Sequence, residues 1–504
     1  MTSNQHPRHA GNGSGPSLYW HDYEAFGADA RRDRACQFAG IRTDMDLNEV
    51  GEPLIIYCQP ALDYLPHPQA CLITGITPQL AQREGLPEAE FIRQIHAQFS
   101  QPQTCGVGYN SIRYDDEMTR QLLYRNLYDP YEREWKNGNS RWDLMDVMRL
   151  CHALRPAGLQ WPQRSDGGVS FRLEDLSQAN GIDHANAHDA LADVRATIGL
   201  ARCVRQSQPK LYDFAFELRR KHSVSAQLDL ASHRPVLHVS GMYPVAQGCL
   251  TIAMPLAAHP SDANGVLLYD LMIDPGPWLD CDEAALRQAM FTPASERSEG
   301  ERRLPVTTVH LNRSPMLAPM ATLDQKRMQE LGIDMSVARQ HWEKIHSQPD
   351  FMRRIASAMV SEQVPSVQID PDFMIYSGGF FSDADKRLLQ KVRQLDVQTL
   401  KQQFSAITAQ FRDGRLPEML FRYRARNFPS TLDVTEQQRW QEFCRQRLQL
   451  AEPDDTDTLA GLSVQQCRRE ISLLRQELGS ESDKLQILDA LEQWIESVCL
   501  KLAK

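Results

Sequence analysis

Apolar positions change their period along the chain, and the changes divide it into three regions. In the first, Ser17-Leu-Tyr-Trp-His-Asp-Tyr-Glu-Ala-Phe-Gly27 and Leu54-Ile-Ile-Tyr-Cys-Gln59 read as strands. Helical spacing follows over Glu88–Phe99, Asp116–Leu127 and Ala190–Val204. That mixture predicts an α/β domain over residues 18–208, behind a polar tail at 1–17. Between 209 and 362 the apolar runs are short: Val236–Gly241, Cys249–Met254, Val266–Tyr269 and Val306–Leu311. Turn-forming stretches at His259–Gly265 and Asp274–Pro277 separate them, which predicts a small barrel or sandwich. The pattern turns helical from Asp324 to Val360 and stays mostly helical over 365–504. There Leu485, Leu488, Leu491, Ile495 and Val498 mark one buried helix face, and Thr435 with Gln438 fits a capping box ahead of Trp440.

Composition narrows the function classes. A chain of 504 residues suits about three domains. Its formal net charge of -10 argues against coating nucleic acid through bulk positive charge, although a local basic groove remains compatible. No run of about 18 apolar residues appears, so no transmembrane helix is expected. Residues 1–17 lack the apolar core of a signal peptide. The 11 cysteines are scattered with no C-x-x-C pair, which disfavours zinc and dithiol redox sites and suits a reduced, cytoplasmic protein.

The informative chemistry lies in the first region. Asp22 and Glu24 are two apart on a predicted strand, so both leave the face that carries Leu18 and Trp20. Two acids at the end of an apolar strand face are costly unless compensated, and a divalent cation would compensate them. Asp115, Asp116 and Glu117 open a predicted helix, where simple capping and dipole effects are the plainer explanation. His188 and Asp193 lie in Asn186-Ala-His-Asp-Ala-Leu-Ala-Asp193. Five residues are about 140° of helical rotation, so His188 must precede the helix or sit in its first turn. Asp189, four residues before Asp193, is the local competitor for the same face.

Taken together and in this order, D-x-E, a mid-domain Asp and H-x4-D resemble the DEDDh family of 3′→5′ exonucleases. The resemblance is carried by His21–Phe26, Leu72–Pro78, Gly108–Glu117, Asn139–Met148, Phe171–Leu173 and Asn186–Asp193. Three later segments extend it over nearly the whole chain, toward the bacterial exodeoxyribonucleases of that family: His238–Met242, Gly379–Asp385 and Phe421–Pro429. The resemblance implies an RNase H-like mixed sheet flanked by helices at 18–208. It further implies an SH3-like β-containing domain with appended helices at 209–362, and a mostly helical domain at 365–504.

By that resemblance Asp22, Glu24, Asp115 and Asp193 hold two Mg²⁺ ions, with Mn²⁺ able to substitute, and His188 is the general base. Asp189 stands where a sister subclass carries Tyr, so the His subclass fits. Glu24 and Arg172 would contact the substrate. The implied activity is processive 3′→5′ digestion of single-stranded DNA to nucleoside 5′-monophosphates, in repair and recombination, by a monomer whose three domains clasp the strand in a C shape. The implied partner is the acidic C-terminal tail of the single-stranded DNA-binding protein, with no membrane involved.

A strand-binding groove requires cations and aromatic platforms. Arg141, Trp142, Arg422, Arg424 and Arg426 are candidates, as is the run Arg219–His222. Each has a plainer reading, as a solvated arginine or, for Trp142, a core residue. An exoribonuclease of the same superfamily would keep the same five catalytic residues, and the large extra domains favour DNA over it. A non-catalytic strand-binding clamp is opposed by the intact acid set.

Overall fold

The computed structural model describes residues 15–183, 189–298, 300, 302–360, 370–450, 461–479 and 481–503. In the first region β1 (Ser17–Ala25), β2 (Ala35–Thr43), β3 (Leu54–Tyr57), β4 (Thr104–Gly108) and β5 (Ser140–Asp143) form a mixed sheet in the order β3-β2-β1-β4-β5. β1 runs antiparallel to β2 and parallel to β4. Residue alternation splits β1 between two cores. Leu18 and Trp20 join Val194, Ile198 and Ala201 of the Ala190–Ser207 helix. Tyr19 and Tyr23 point the other way, into Phe38, Phe91, Phe99, Met118 and Leu122.

The helices Glu88–Phe99, Asp115–Arg125 and Ala190–Ser207 stand where the periodicity predicts them, with ends shifted by up to three residues. The last gives way at Gln208, where Pro209 starts the next helix. β2 and β5 have no counterpart among the predicted strands. β2 is buried on both faces, so its apolar residues do not alternate with polar ones.

The second region holds β6 (Val236–Val239), β7 (Leu250–Ala258), β8 (Gly265–Asp270), β9 (Val306–His310) and β10 (Met316–Pro319). They form one antiparallel sheet in the order β10-β6-β7-β8-β9. Helices Gln325–Glu330, Met335–His346 and Pro349–Ala358 follow it, as the pattern from Asp324 predicts. Its hydrophobic core is continuous with the Leu18–Trp20 side of the first domain.

The remainder is helical among the described residues. In the final helix, Ser482–Ala503, Leu488, Leu491, Ile495 and Val498 are buried and Leu485 is half-buried. The capping box before Trp440 belongs to Asp433 and Glu436, not to Thr435 and Gln438: the Asp433 carboxylate accepts the Glu436 N–H (2.8 Å), and the Asp433 N–H donates to the Glu436 carboxylate (3.0 Å). An aspartate makes this cap as well as a threonine does, and the helix starts two residues, about half a turn, earlier. Phe421, Trp440, Leu488 and Ile495 pack with Phe26, Tyr64 and Leu65 of the first region, so these two regions share one core.

Candidate active site

β1 outruns its parallel neighbour. Its pairing with β4 ends at Trp20 opposite Val107, while β2 continues to support it through Asp22 and Glu24. The two acids therefore stand at the carboxyl end of the parallel strands, where open α/β sheets leave a crevice. The chain leaving β4 must pass close to β1 here. A Cβ on Gly108 would lie 2.7 Å from the Ser111 Cβ and 2.9 Å from the His21 carbonyl oxygen, so only glycine fits.

Past that glycine, Asp143 shapes the loop that delivers Asp115. Its carboxylate accepts the N–H groups of Asn110 (2.9 Å), Ile112 (3.2 Å) and Met145 (3.0 Å), and it caps the Leu144–Leu154 helix. Burial, with Asp146 beside it, pushes its carboxyl up to about 7. Nothing in the one-dimensional pattern marks Asp143 beyond its place ahead of an apolar helix.

Three acids converge. Asp22, Glu24 and Asp193, the last from the first turn of the Ala190–Ser207 helix, place carboxylate oxygens within 4.8 Å of one another. Asp115 closes the group from the side: its Oδ1 accepts the Tyr23 N–H at 3.1 Å, and Thr119 donates to its carbonyl at 2.8 Å. Asp189 is at the helix N-cap and outside the tight group, which decides between it and Asp193. His188 lies outside the described residues, which resume at 189.

The electrostatics are those of an anionic trap. Burial raises the Asp22 carboxyl well above its ordinary range, and the charges of Asp115, Glu24 and Asp193 raise it further. Glu24 is pushed up to about 8, first by burial and then by Asp193, Asp115 and Asp189. Asp115 is raised by burial and by Asp116. Such a set of hard oxygen donors, repelling one another in a half-open crevice, suits a divalent cation such as Mg²⁺.

The neighbouring acids behave differently, which separates the three candidates at the start of this helix. Asp116 is held below its ordinary range despite burial, because Arg133 (2.5 Å) and Arg141 (3.0 Å) pair with it. Glu117 accepts hydrogen bonds from Gln121 (2.8 Å) and from the Tyr376 hydroxyl.

The expected strand groove is corrected. Arg141 is buried against Asp116 and Glu134. Trp142 is core, fully buried between Tyr212 and Phe216, with its N–H on the Ala215 carbonyl (3.1 Å). Arg422 pairs with Glu418, Asp370 and Asp372, and Arg424 with Glu436. Arg426 is held between Asp63 and Asp372. Buried guanidiniums already committed to carboxylates cannot grip a strand. Arg172 differs: it is exposed at the start of the Leu173–Ala179 helix and pairs only with its neighbour Glu174 (2.8 Å) among the described residues.

Comparison with known proteins agrees with this architecture. Residues 19–201 match an exonuclease family model, 219–360 the exonuclease I SH3-like domain and 369–498 the exonuclease I C-terminal domain. The chain is 42% identical over 482 residues to exodeoxyribonuclease I of Escherichia coli K12, covering 96% of this chain and 98% of that one. Exonuclease I of Methylocaldum szegediense superposes with a TM-score of 0.89 at 47% identity, covering 96% of this chain and 100% of that one. E. coli exonuclease I in complex with a dA16 oligonucleotide superposes with a TM-score of 0.90 at 42% identity and the same coverage. Likeness of this degree, running through all three domains and not the nuclease fold alone, makes the chain an exodeoxyribonuclease and a member of the exodeoxyribonuclease I family.

Proposed function

We propose that this exodeoxyribonuclease removes nucleotides from the 3′ end of single-stranded DNA, releasing nucleoside 5′-monophosphates, at the crevice formed by Asp22, Glu24, Asp115 and Asp193. The observation that carries the reading is the convergence of three carboxylates within 4.8 Å, with Asp115 alongside. The oligonucleotide complexes of the E. coli relative support the substrate, and its zinc-bound form with single-stranded DNA supports a metal site.

These four acids would hold two Mg²⁺ ions, for which Mn²⁺ can substitute. When bound, the ions supply Lewis acidity to the phosphoryl oxygens and a water acidic enough to be a nucleophile near neutral pH. The chain's own residues do the rest. β1 and the Ala190–Ser207 helix fix the carboxylates on rigid elements, so the site needs little rearrangement. His188 accepts the proton of the attacking water at an imidazole nitrogen, a task suited to the side chain that can gain and lose a proton near neutral pH. Glu24 and Arg172 contact the substrate, Arg172 through its exposed guanidinium.

Residues 18–208 serve as the nuclease domain, with 209–362 and 365–504 as the SH3-like and helical domains that clasp the strand and favour processive digestion. The enzyme acts as a monomer in the cytoplasm, in DNA repair and recombination, and the acidic tail of the single-stranded DNA-binding protein docks on it. No helix among the described residues is long and apolar enough to cross a membrane.

The test is a single-stranded DNA oligonucleotide labelled at its 5′ end, incubated with Mg²⁺ or with EDTA, beside matched duplex DNA and RNA. A Mg²⁺-dependent ladder shrinking from the 3′ end on single-stranded DNA is expected. Faster loss of RNA would replace this reading with an exoribonuclease, and binding without cleavage in any metal would make the acids structural.

A further inference from the structure

The guanidinium of Arg172 is exposed, yet the backbone beneath it is tightly held. The peptide unit that joins Phe171 to Arg172 has both of its polar atoms bound by side chains. Its carbonyl accepts the Tyr109 hydroxyl at 2.6 Å. Its N–H donates to the Ser170 hydroxyl oxygen at 3.3 Å, and that hydroxyl donates in turn to Asp175 at 2.5 Å. The Arg172 carbonyl accepts the Leu176 N–H (3.1 Å), which starts the Leu173–Ala179 helix. Just before this unit, the Ser170 N–H donates to the Pro162 carbonyl (2.8 Å), and the Phe171 ring packs beside His152 and Trp161.

Tyr109 belongs to a distant part of the chain. It follows β4 directly, in the loop that leads from Gly108 to Asp115. The residues after it are also fixed. Asn110, at φ +62°, and Ile112 donate their N–H groups to Asp143 (2.9 and 3.2 Å), and Asp115 accepts from Tyr23 (3.1 Å). The Tyr109 ring packs against the core to which Phe171 and Leu176 belong. A phenylalanine would fill that place equally well, so packing accounts for the ring and not for the hydroxyl. Burial raises the phenol above its ordinary range, which keeps it a hydrogen-bond donor.

One hydrogen bond thus ties the loop that delivers a metal-holding acid to the turn that carries a substrate-contacting arginine. Its two ends are 62 residues apart in the chain. Such a tie has a physical use. Arg172 reaches the substrate on a long, exposed side chain, so its Cα is the part of it that the fold can set. Fixing the Cα narrows the range of guanidinium positions and lowers the entropy lost when the forked donors take a phosphate. Placement at this scale matters, since an error of about 1 Å can cost on the order of 10²-fold in rate.

We propose that Tyr109 is a positioning residue for substrate capture: its hydroxyl sets the Phe171–Arg172 peptide unit, and through it the place from which Arg172 grips the phosphodiester. The inference rests on the substrate role of Arg172 given above and deepens it. The Tyr109 hydroxyl is committed to the Phe171 carbonyl, so it acts through Arg172 and not on the reacting atoms. An arginine that grips the strand alike before and during cleavage changes half-saturation and leaves the limiting rate alone. The same split is therefore expected when its support is removed.

The test is single-turnover cleavage of a 5′-labelled thymidylate trinucleotide with Mg²⁺, over a range of enzyme concentrations. On so short a strand, the contacts near the 3′ end carry most of the binding. Arg172→Ala is expected to raise the half-saturating concentration on the order of 10- to 100-fold, the loss of a hydrogen bond to a charged group. Tyr109→Phe is expected to raise it about three- to tenfold, with the limiting rate within about twofold of wild type and the pH profile unchanged. The double variant should be no worse than Arg172→Ala alone, because the support has nothing to position once the guanidinium is gone. Ser170→Ala frees the other end of the same peptide unit and should repeat the Tyr109→Phe effect; it decides the matter should Tyr109→Phe fail to fold. Half-saturation within about twofold of wild type, or effects that multiply in the double variant, would overturn the positioning role. A fall in the limiting rate with half-saturation unchanged would place the hydroxyl's effect on the Asp115 side and overturn it as well. Should Arg172→Ala itself saturate like wild type, the substrate role of Arg172 fails, and the support loses its purpose. A wild type that cuts no single-stranded DNA would overturn the nuclease reading itself.

Discussion

Two clusters of buried acids in this molecule are built from the same residue types and do opposite work. At the end of β1, Asp22, Glu24 and Asp193 crowd together, and the charges that raise the Asp22 carboxyl are other acids. Between the first and third regions, Asp63 and Asp372 are buried more deeply still, but surrounded by guanidiniums. Asp63 meets Arg426 (2.8 Å), Arg447 (3.2 Å) and Arg34 (3.6 Å); Asp372 meets Arg426 (2.5 Å), Arg422 (3.1 Å) and Arg447 (3.1 Å). Both of these carboxyls are held far below their ordinary range despite burial, chiefly by Arg426. An acid cluster that supplies its own cations fastens domains together. One that lacks them is a site for a cation from solution, and it costs the fold stability until that cation arrives.

The sharpest way to break this contrast is to neutralise one acid in each cluster. Asp22→Asn should abolish turnover on single-stranded DNA while leaving the metal-free melting temperature unchanged or higher, because it removes a repelling buried charge. Near-normal turnover would sink the metal-site assignment. Adding Mg²⁺ at about a hundred times its dissociation constant should stabilise wild type by about 2.7 kcal/mol, and calorimetry of Asp22→Asn should lose most of that gain.

His188→Ala should slow single-turnover cleavage by about 10²–10⁴-fold with strand affinity retained, the usual cost of a missing general base. A smaller effect would move the proton-accepting role elsewhere.

The paired cluster should respond in stability, not in chemistry. Asp63→Ala strands Arg426 and Arg447 without a full complement of acids, and breaking such a buried pair costs about 3–5 kcal/mol. Denaturant titration reads the loss, and the folded fraction should cut DNA at the wild-type rate per molecule. A loss under about 1 kcal/mol would mean that solvent reaches the cluster.

The smallest effect concerns acid. Glu88 is held down to about 2 by Arg125 and Arg34 working against burial, from an ordinary value of 4.5. A carboxyl depressed in the fold adds stability that is fully present above its unfolded value and fades as pH falls toward its folded one. Stability should therefore drop between about pH 4.5 and 2, and Glu88→Gln should flatten that part of the curve. An unchanged slope would assign the acid sensitivity to other groups.

Much of this was legible in the residues, for a physical reason. Helix and strand periods are local properties, so Glu88–Phe99, the strands β6 to β9 and most of the buried stripe of the final helix could be read directly. The two-residue spacing of Asp22 and Glu24 put both acids on one strand face before any fold was known. β2, β5 and β10 were missed because short or buried, non-alternating strands carry no period of their own.

Charge was the property that the one-dimensional pattern could not assign. Arg422, Arg424 and Arg426 looked like a basic groove and are an internal clasp. Likewise Asp115 and Asp116 are adjacent and identical in type, yet one faces the other acids and its neighbour faces two arginines. Whether a charge is paired or waiting depends on groups tens to hundreds of residues away along the chain. Spacing therefore determined which acids could act together, and only the tertiary structure decided which charges were already neutralised.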